Sequence, residues 1–386
     1  MKIVINNIEQ QNNYNNQVDI DWLDSGLIPH ADSIIYLCPG WVDLQVNGFG
    51  GVNLSSENLK ADQVVFVSHQ LIKNGVTRWC PTIISSSFDR TKLSIEEIVK
   101  ATHIDNQTKK GVIGLHLEGP YISPKEGFRG AHSEKFIRAP NWDEFVAWQD
   151  AAEGLIRMIT LDPSAKGSLE FIERVVEQGV IVSIGHSEAS PECIKSAIAA
   201  GAKFSTHLGN GIPAQIHRHK NQIWTLLADE KIIAGVIFDG FHLPLDVMRV
   251  FYKVKGQDKL VLTSDSTEFA NMPPGIYDTT IGEKVQLHEN GKLTIFGSDD
   301  YLAGSSFSLK QCIETSVRLL EKPIEEIAKL AYLTPANLMG VNLEKSHILF
   351  LWDPRKYHIE ILAVFENRNI IYKNPAINLK LTKGPK

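Results

Sequence analysis

The stretch Val112-Ile113-Gly114-Leu115-His116-Leu117-Glu118-Gly119-Pro120 decides how this chain is read. Its apolar run, 112–117, has the length of a β-strand, and Gly119-Pro120 forces a turn directly after it. Glu118 is thereby delivered at the strand's carboxyl end, on the side to which His116 also points. The arrangement recurs downstream. His186 stands just after the run 180–184, His207 after 204–206 and Asp265 after 260–263, with helix-like segments between the runs. In a barrel of alternating strands and helices, residues at the carboxyl ends of the strands converge on one mouth.

Outward from these runs the alternation continues. Residues 41–46, 77–84, 155–161 and 232–238 read as further strands, and 61–73, 91–102, 168–178, 191–200 and 245–255 as amphipathic helices. Eight strands with helices between them predict an α/β fold, a closed (β/α)8 TIM barrel, over an open doubly wound sheet. The segment 275–301, with a turn signal at Asn290-Gly291, predicts an inserted hairpin after the eighth strand, followed by helices at 308–320 and 324–331. Residues 1–38 and 343–386 carry short alternating runs instead. They are expected to meet in a small accessory β-sandwich beside a barrel spanning 39–342.

Composition narrows the function classes. The chain has 386 residues, 43% hydrophobic and 22% charged, which suffices for a sizeable core without disulfides. A net charge of −6 argues against general nucleic-acid binding, which requires a basic face. Cys38, Cys80, Cys193 and Cys312 make no CxxC pair and read as buried thiols of a reducing compartment. Residues 1–16 lack a signal-peptide core, and no run reaches the roughly 18 apolar residues of a membrane span. The cytoplasm is the expected location, with no membrane partner.

Taken singly, a Glu at a strand end is ordinarily a solvated cap, and a His after a strand a hydrogen-bonded structural residue. Joint placement after strands three, five and six of one barrel changes that reading. Glu118, His186 and His207 then form an open three-ligand site for Zn²⁺, with Fe²⁺ and Co²⁺ as the other candidates. Asp265, after strand eight, is placed as the general base that takes a proton from water and hands it to a departing amine. His242, in Asp239-Gly240-Phe241-His242, faces the same mouth without an obvious partner, so substrate contact and plain packing stay equally open.

The motifs also occur in a recognisable order. Pro39-Gly40-Trp41-Val42-Asp43-Leu44-Gln45-Val46-Asn47-Gly48, His116-Leu117-Glu118-Gly119-Pro120, Gly130-Ala131-His132, Gly185-His186-Ser187, Thr206-His207-Leu208, Asp239-Gly240-Phe241-His242, Leu302-Ala303-Gly304-Ser305 and Thr334-Pro335-Ala336-Asn337 together resemble the N-acetylglucosamine-6-phosphate deacetylases of the amidohydrolase superfamily. The resemblance implies the barrel, a sandwich built from both termini, and a homodimer whose pocket borrows residues from its neighbour. It implies Glu118, His186 and His207 as ligands of one divalent ion and Asp265 as catalytic acid/base. It also implies that His132 and His242 contact the acetamido carbonyl or sugar hydroxyls, and that Asn210 and Gly211 meet the phosphate end. Leu302 falls at a substrate-binding position, and Arg218 at that of an arginine that reaches the phosphate across the dimer.

Three departures stand out. Many amidohydrolases end strand one with two histidines that bind a second metal; Gln45 and Asn47 occupy those places, so a single-metal site is expected. The loop Gly209-Asn210-Gly211 replaces the family's commoner Asn-Ala-Met form, and Ser264-Asp265-Ser266 replaces Thr-Asp-Ala. The activity implied is metal-dependent hydrolysis of the acetamide of N-acetylglucosamine 6-phosphate. The alternatives are N-acetylgalactosamine 6-phosphate, an unphosphorylated N-acetyl amino sugar, or a catalytically silent barrel used for binding.

Overall fold

The computed structural model describes residues 2–8, 17–23, 29–279, 284–298 and 301–381. Eight parallel strands pair in chain order: β1 (Trp41–Val46), β2 (Val76–Ile84), β3 (Leu115–Glu118), β4 (Ile156–Leu161), β5 (Ile181–Ile184), β6 (Phe204–Ser205), β7 (Ile233–Val236) and β8 (Leu260–Leu262). A parallel bridge between Val46 and Ser266 brings the last strand back to the first, so the sheet closes as a (β/α)8 barrel. Each pair of neighbours is separated in sequence by a helix, as parallel pairing requires. These include Ala61–Lys73, Phe88–Ile104, Ser168–Glu177, Pro191–Ala199 and Leu245–Lys255. Local chemistry sets several of their starts. Ser87 accepts from Arg90 N, Ser190 accepts from Cys193 N ahead of Pro191, and Ser308 forms a capping box with Gln311.

The barrel interior is layered. Its lower part is apolar, where Val42, Leu44, Cys80, Met158, Ile181, Phe204 and Val261 cluster with Ala336, Leu338 and Met339 from the last helix, Ile324–Met339. That helix was expected to stop at residue 331. It runs on through Pro335 because its final turn is buried against the barrel, and that burial outweighs the missing hydrogen bond. Above the apolar layer lies a buried polar chain: His116 Nε2 to Thr160 Oγ1 at 2.7 Å, Thr160 to Thr206 at 2.6 Å, and Ser183 to Thr206 at 2.6 Å.

The insertion after β8 is a three-stranded antiparallel sheet of Gly275–Asp278, Lys284–Leu287 and Leu293–Ile295, so the expected hairpin gains one strand. The terminal segments build a second, seven-stranded sheet. Its order is Asn369–Lys373, His358–Glu366, Ser346–Asp353, Ile34–Pro39, Lys2–Asn7, Gln17–Trp22 and Ile377–Leu381. Lys2–Asn7 pairs antiparallel with Gln17–Trp22 through its first half and parallel with Ile34–Pro39 through its second. Ile20 and Ile377 from one end share an apolar cluster with Ile35, Leu349 and Leu362. The Asn/Gln-rich stretch at 9–16 lies outside the described residues. Arg78 on β2 binds Glu366 of the terminal sheet in a buried pair at 3.0 Å, tying the two bodies together.

Candidate metal and catalytic site

The carboxyl ends of β3, β5, β6 and β8 carry the four residues on which the sequence argument turns. Glu118 is the last residue of β3, whereas His186, His207 and Asp265 follow their strands by two or three positions. Those last three adopt left-handed backbone, with φ of 48°, 28° and 48°. Such conformations cost on the order of 1–3 kcal/mol each for residues with a Cβ and persist only where the surroundings fix them. The turn after Glu118 contains a cis Gly119–Pro120 bond.

Three side chains meet at one point. Glu118 Oε1 lies 2.9 Å from His207 Nε2 and 3.3 Å from His186 Nε2, and the two imidazole nitrogens are 3.0 Å apart. Glu118, His186 and His207 are only 3%, 7% and 4% exposed. His186 is aimed by its other nitrogen, Nδ1, which donates to the Phe128 carbonyl at 2.8 Å and turns Nε2 toward the cluster. Two buried imidazole nitrogens and a carboxylate oxygen converging in this way suit a borderline divalent cation.

Electrostatics follow from burial and pairing. Burial pushes the Glu118 carboxyl up, but hydrogen bonds from His186 and His207 and their charge outweigh it and hold it well below the usual range. Burial lowers His207, yet its bond to Glu118 and the nearby carboxylates leave it raised. Asp265 is pushed up to about 7, first by burial and then by the charge of Glu118. A carboxyl poised there can both accept and return a proton near neutral pH.

The two amides of β1 prove to have positive roles. Gln45 Nε2 donates to Glu118 Oε1 at 2.8 Å, and Asn47 Nδ2 donates to Asp265 Oδ1 at 2.6 Å. His132 packs its ring edge-on to His186, centroids 4.5 Å apart. Its Nδ1 receives the Ser85 backbone N–H at 3.3 Å and lies 2.8 Å from Ser85 Oγ. Because that N–H can only donate, the proton of the neutral ring sits on Nε2. Burial, with the charge of His186, lowers His132 to about 3, so the ring stays neutral.

His242 has the partner that its sequence left open. Its Nδ1 is 2.6 Å from Asp239 Oδ2, while Asp239 Oδ1 accepts the backbone N–H groups of Phe241 and His242. Burial raises Asp239, but these bonds outweigh it and keep the carboxyl below its usual range. The Asp three residues before His242 is an Asx-turn signal that could have revealed the pair.

Gly211 and Asn210 reach the cluster from the loop after β6. A Cβ at residue 211 would lie 2.7 Å from His186 Nδ1, and Asn210 donates its backbone N–H to His207 O at 2.9 Å. The side-chain Nδ2 of Asn210 is buried without a partner. Leu302 is half-buried and bridges Thr294 of the insertion, while nearby Ser305 bridges Ser266 beside Asp265. Arg218 is not brought to this centre. It lies exposed on the continuation of the same loop, where its carbonyl accepts from Trp224 Nε1.

Comparison with known proteins agrees with this geometry. Residues 36–345 match the family model described as "Amidohydrolase family". A Caenorhabditis elegans N-acetylglucosamine-6-phosphate deacetylase is 32% identical over 81% of this chain and 75% of its own length. A Haemophilus influenzae enzyme of the same name is 29% identical over 79% and 77%. The crystal structure of N-acetylglucosamine-6-phosphate deacetylase from Pasteurella multocida superposes with a TM-score of 0.80 at 27% identity, covering 97% of this chain and 98% of that one. The chain belongs to the amidohydrolase family and, within it, to the N-acetylglucosamine-6-phosphate deacetylases.

Proposed function

We propose that this protein hydrolyses the acetamide of N-acetylglucosamine 6-phosphate, releasing acetate and glucosamine 6-phosphate. The observation that carries the reading is the convergence of Glu118 Oε1, His186 Nε2 and His207 Nε2 beside a half-buried Asp265. One divalent cation, Zn²⁺ by preference for this donor set, would be held by those three atoms and would supply positive charge that polarises the amide carbonyl and acidifies water. Asp265 takes the proton from the attacking water and returns it to the amine as the C–N bond breaks. His132, neutral with its proton on Nε2, donates to the carbonyl oxygen as negative charge develops there. His242, its Nδ1–H given to Asp239, offers Nε2 as an acceptor for a sugar hydroxyl.

Asn210 and Gly211 border the phosphate end, and Leu302 contacts the sugar. Arg218 serves a neighbouring protomer of a homodimer, where its planar fork binds phosphate bidentately. The exposure of Arg218 within one chain supports that assignment. The division of the chain into a barrel at 39–342 and an accessory body of 1–38 plus 343–386, and a cytoplasmic location, belong to the same proposal. Among the described residues no helix is long and apolar enough to cross a membrane.

The test is acetate release from N-acetylglucosamine 6-phosphate by metal-stripped protein with and without added Zn²⁺, with the galactosamine epimer and the unphosphorylated sugar run in parallel. Turnover that requires metal, favours the glucosamine phosphate and disappears in Asp265→Asn supports the reading. Metal-independent turnover, or none with any of the three sugars, overturns it. Arg218→Ala is expected to raise KM for the phosphorylated sugar about tenfold or more, as loss of a charged phosphate contact should. An unchanged KM removes Arg218 from the phosphate site.

A further inference from the structure

Ser264 and Asp43 surround Asp265 without taking part in the chemistry described above. Asp43 is buried on β1, and its carboxylate points at the chain just before Asp265. Oδ1 accepts from Thr263 Oγ1 at 2.9 Å and from the Ser264 backbone N–H at 3.2 Å; Oδ2 accepts from Ser264 Oγ at 2.5 Å. The Ser264 hydroxyl in turn accepts the backbone N–H of Ser266 at 3.2 Å. One hydroxyl therefore joins the residue before Asp265 to the residue after it, and anchors both to a carboxylate on the opposite edge of the closing seam.

Ser266 is gripped further by β1. Its carbonyl accepts from Asn47 N at 2.8 Å and Gly48 N at 3.0 Å, and its Oγ donates to the Gly48 carbonyl at 3.0 Å. Asp265, at φ 48°, is thus the apex of a loop whose two feet are both fixed, with Asn47 Nδ2 bonded to its Oδ1 at 2.6 Å. A left-handed conformation in a residue with a Cβ needs such external support. An acid/base group must also be held to a fraction of an ångström to act on a bound substrate.

We infer that Asp43, acting through the Ser264 hydroxyl, is a positioning residue that fixes the Asp265 carboxylate for proton transfer. The inference rests on the assignment of Asp265 as the acid/base. Asp43 and Ser264 touch neither the ligand atoms nor the mouth, so their loss should leave substrate binding intact and misplace the proton acceptor. Ser264→Thr keeps the hydroxyl and Ser264→Ala deletes it. Asp43→Asn keeps the volume but turns one acceptor oxygen into a donor amide facing Ser264 Oγ.

The experiment is steady-state kinetics on Zn²⁺-loaded protein, with metal content and Tm measured on the same samples, for S264A, S264T, D43N and D265N. S264A is expected to lose about 10-fold to 100-fold in kcat at full metal occupancy, with KM within about twofold, the scale of loss seen for a small misplacement of a catalytic group. D43N is expected to fall in the same direction by about tenfold, and it carries the test independently of whether S264A folds. S264T is expected to recover kcat to within about threefold of the unaltered protein. A kcat that is unchanged in both S264A and D43N at full metal occupancy overturns the inference. So does a loss that S264T fails to recover or that follows metal content and Tm alone. D265N separates the two levels. A D265N protein with normal kcat removes the acid/base assignment itself, whereas an inactive D265N beside normal S264A and D43N removes only the positioning role.

Discussion

Gln45 donates its amide N–H to Glu118 Oε1, the same oxygen that faces both histidines. An amide in this place adds a hydrogen bond to the carboxylate and supplies a poor ligand where many amidohydrolases have an imidazole. Loading with excess Zn²⁺ should therefore give one ion per chain, read by elemental analysis after desalting. Gln45→Leu should weaken metal affinity about 10-fold to 100-fold by freeing the carboxylate, the range typical of partners that orient a ligand. Two ions per chain would contradict the role given to Gln45 and Asn47.

Ser85 decides which nitrogen of His132 carries the proton. Ser85→Ala removes the 2.8 Å contact and leaves only the longer backbone bond. The backbone bond still fixes the tautomer, but the ring should lose part of its fixed orientation. A fall in kcat of about tenfold is expected, on the scale of a partly lost oxyanion contact. Tm should barely move, because the deleted group is one hydroxyl. Thermal melts and initial rates on the same preparation check both statements.

Arg78 and Glu366 form a bidentate pair at 8% and 5% exposure between barrel and terminal sheet. Arg78→Ala strands a buried carboxylate and should destabilise by about 3–5 kcal/mol. Arg78→Met combined with Glu366→Leu should recover most of that loss, since an apolar pair of similar volume replaces two costly charges. Denaturant midpoints of the single and double variants decide the matter.

His358 stands between Glu314 of the helix Leu309–Leu320 and Glu360 of its own strand. Hydrogen bonds to Glu314 and then Glu360 push it up to about 9. A raised folded value means that the protonated form stabilises the fold. The contribution is complete below the unfolded value of about 6.5 and is lost as pH climbs through 9. Tm should decline between pH 7 and pH 10 by more in the unaltered protein than in His358→Gln. Parallel profiles for the two would contradict it.

Much of the centre could be read in advance because strand ends are conspicuous in sequence. Glu118, His186, His207 and Asp265 each follow an apolar run, and barrel geometry does the rest. What escaped was set by contacts distant in sequence or by tertiary burial. The last helix passes Pro335 because Leu338 and Met339 fill the barrel's lower end, a demand no local propensity contains. The bonds from Gln45 and Asn47 span 73 and 218 residues, so neither amide could announce its partner. Asp239 was the opposite case. Its bond to His242 is three residues long, and the Asp-Gly turn chemistry to predict it was present.

The buried end of the helix Ile324–Met339 has a consequence for traffic. Ala336, Leu338 and Met339 pack into the apolar layer at the barrel's lower end, so the ligand cluster is approached from the strands' carboxyl ends. A substrate that enters acetamide first would leave its acetate between the sugar and that closed end. The sugar should then leave first and acetate last, an order that product-inhibition patterns with acetate and glucosamine 6-phosphate will display.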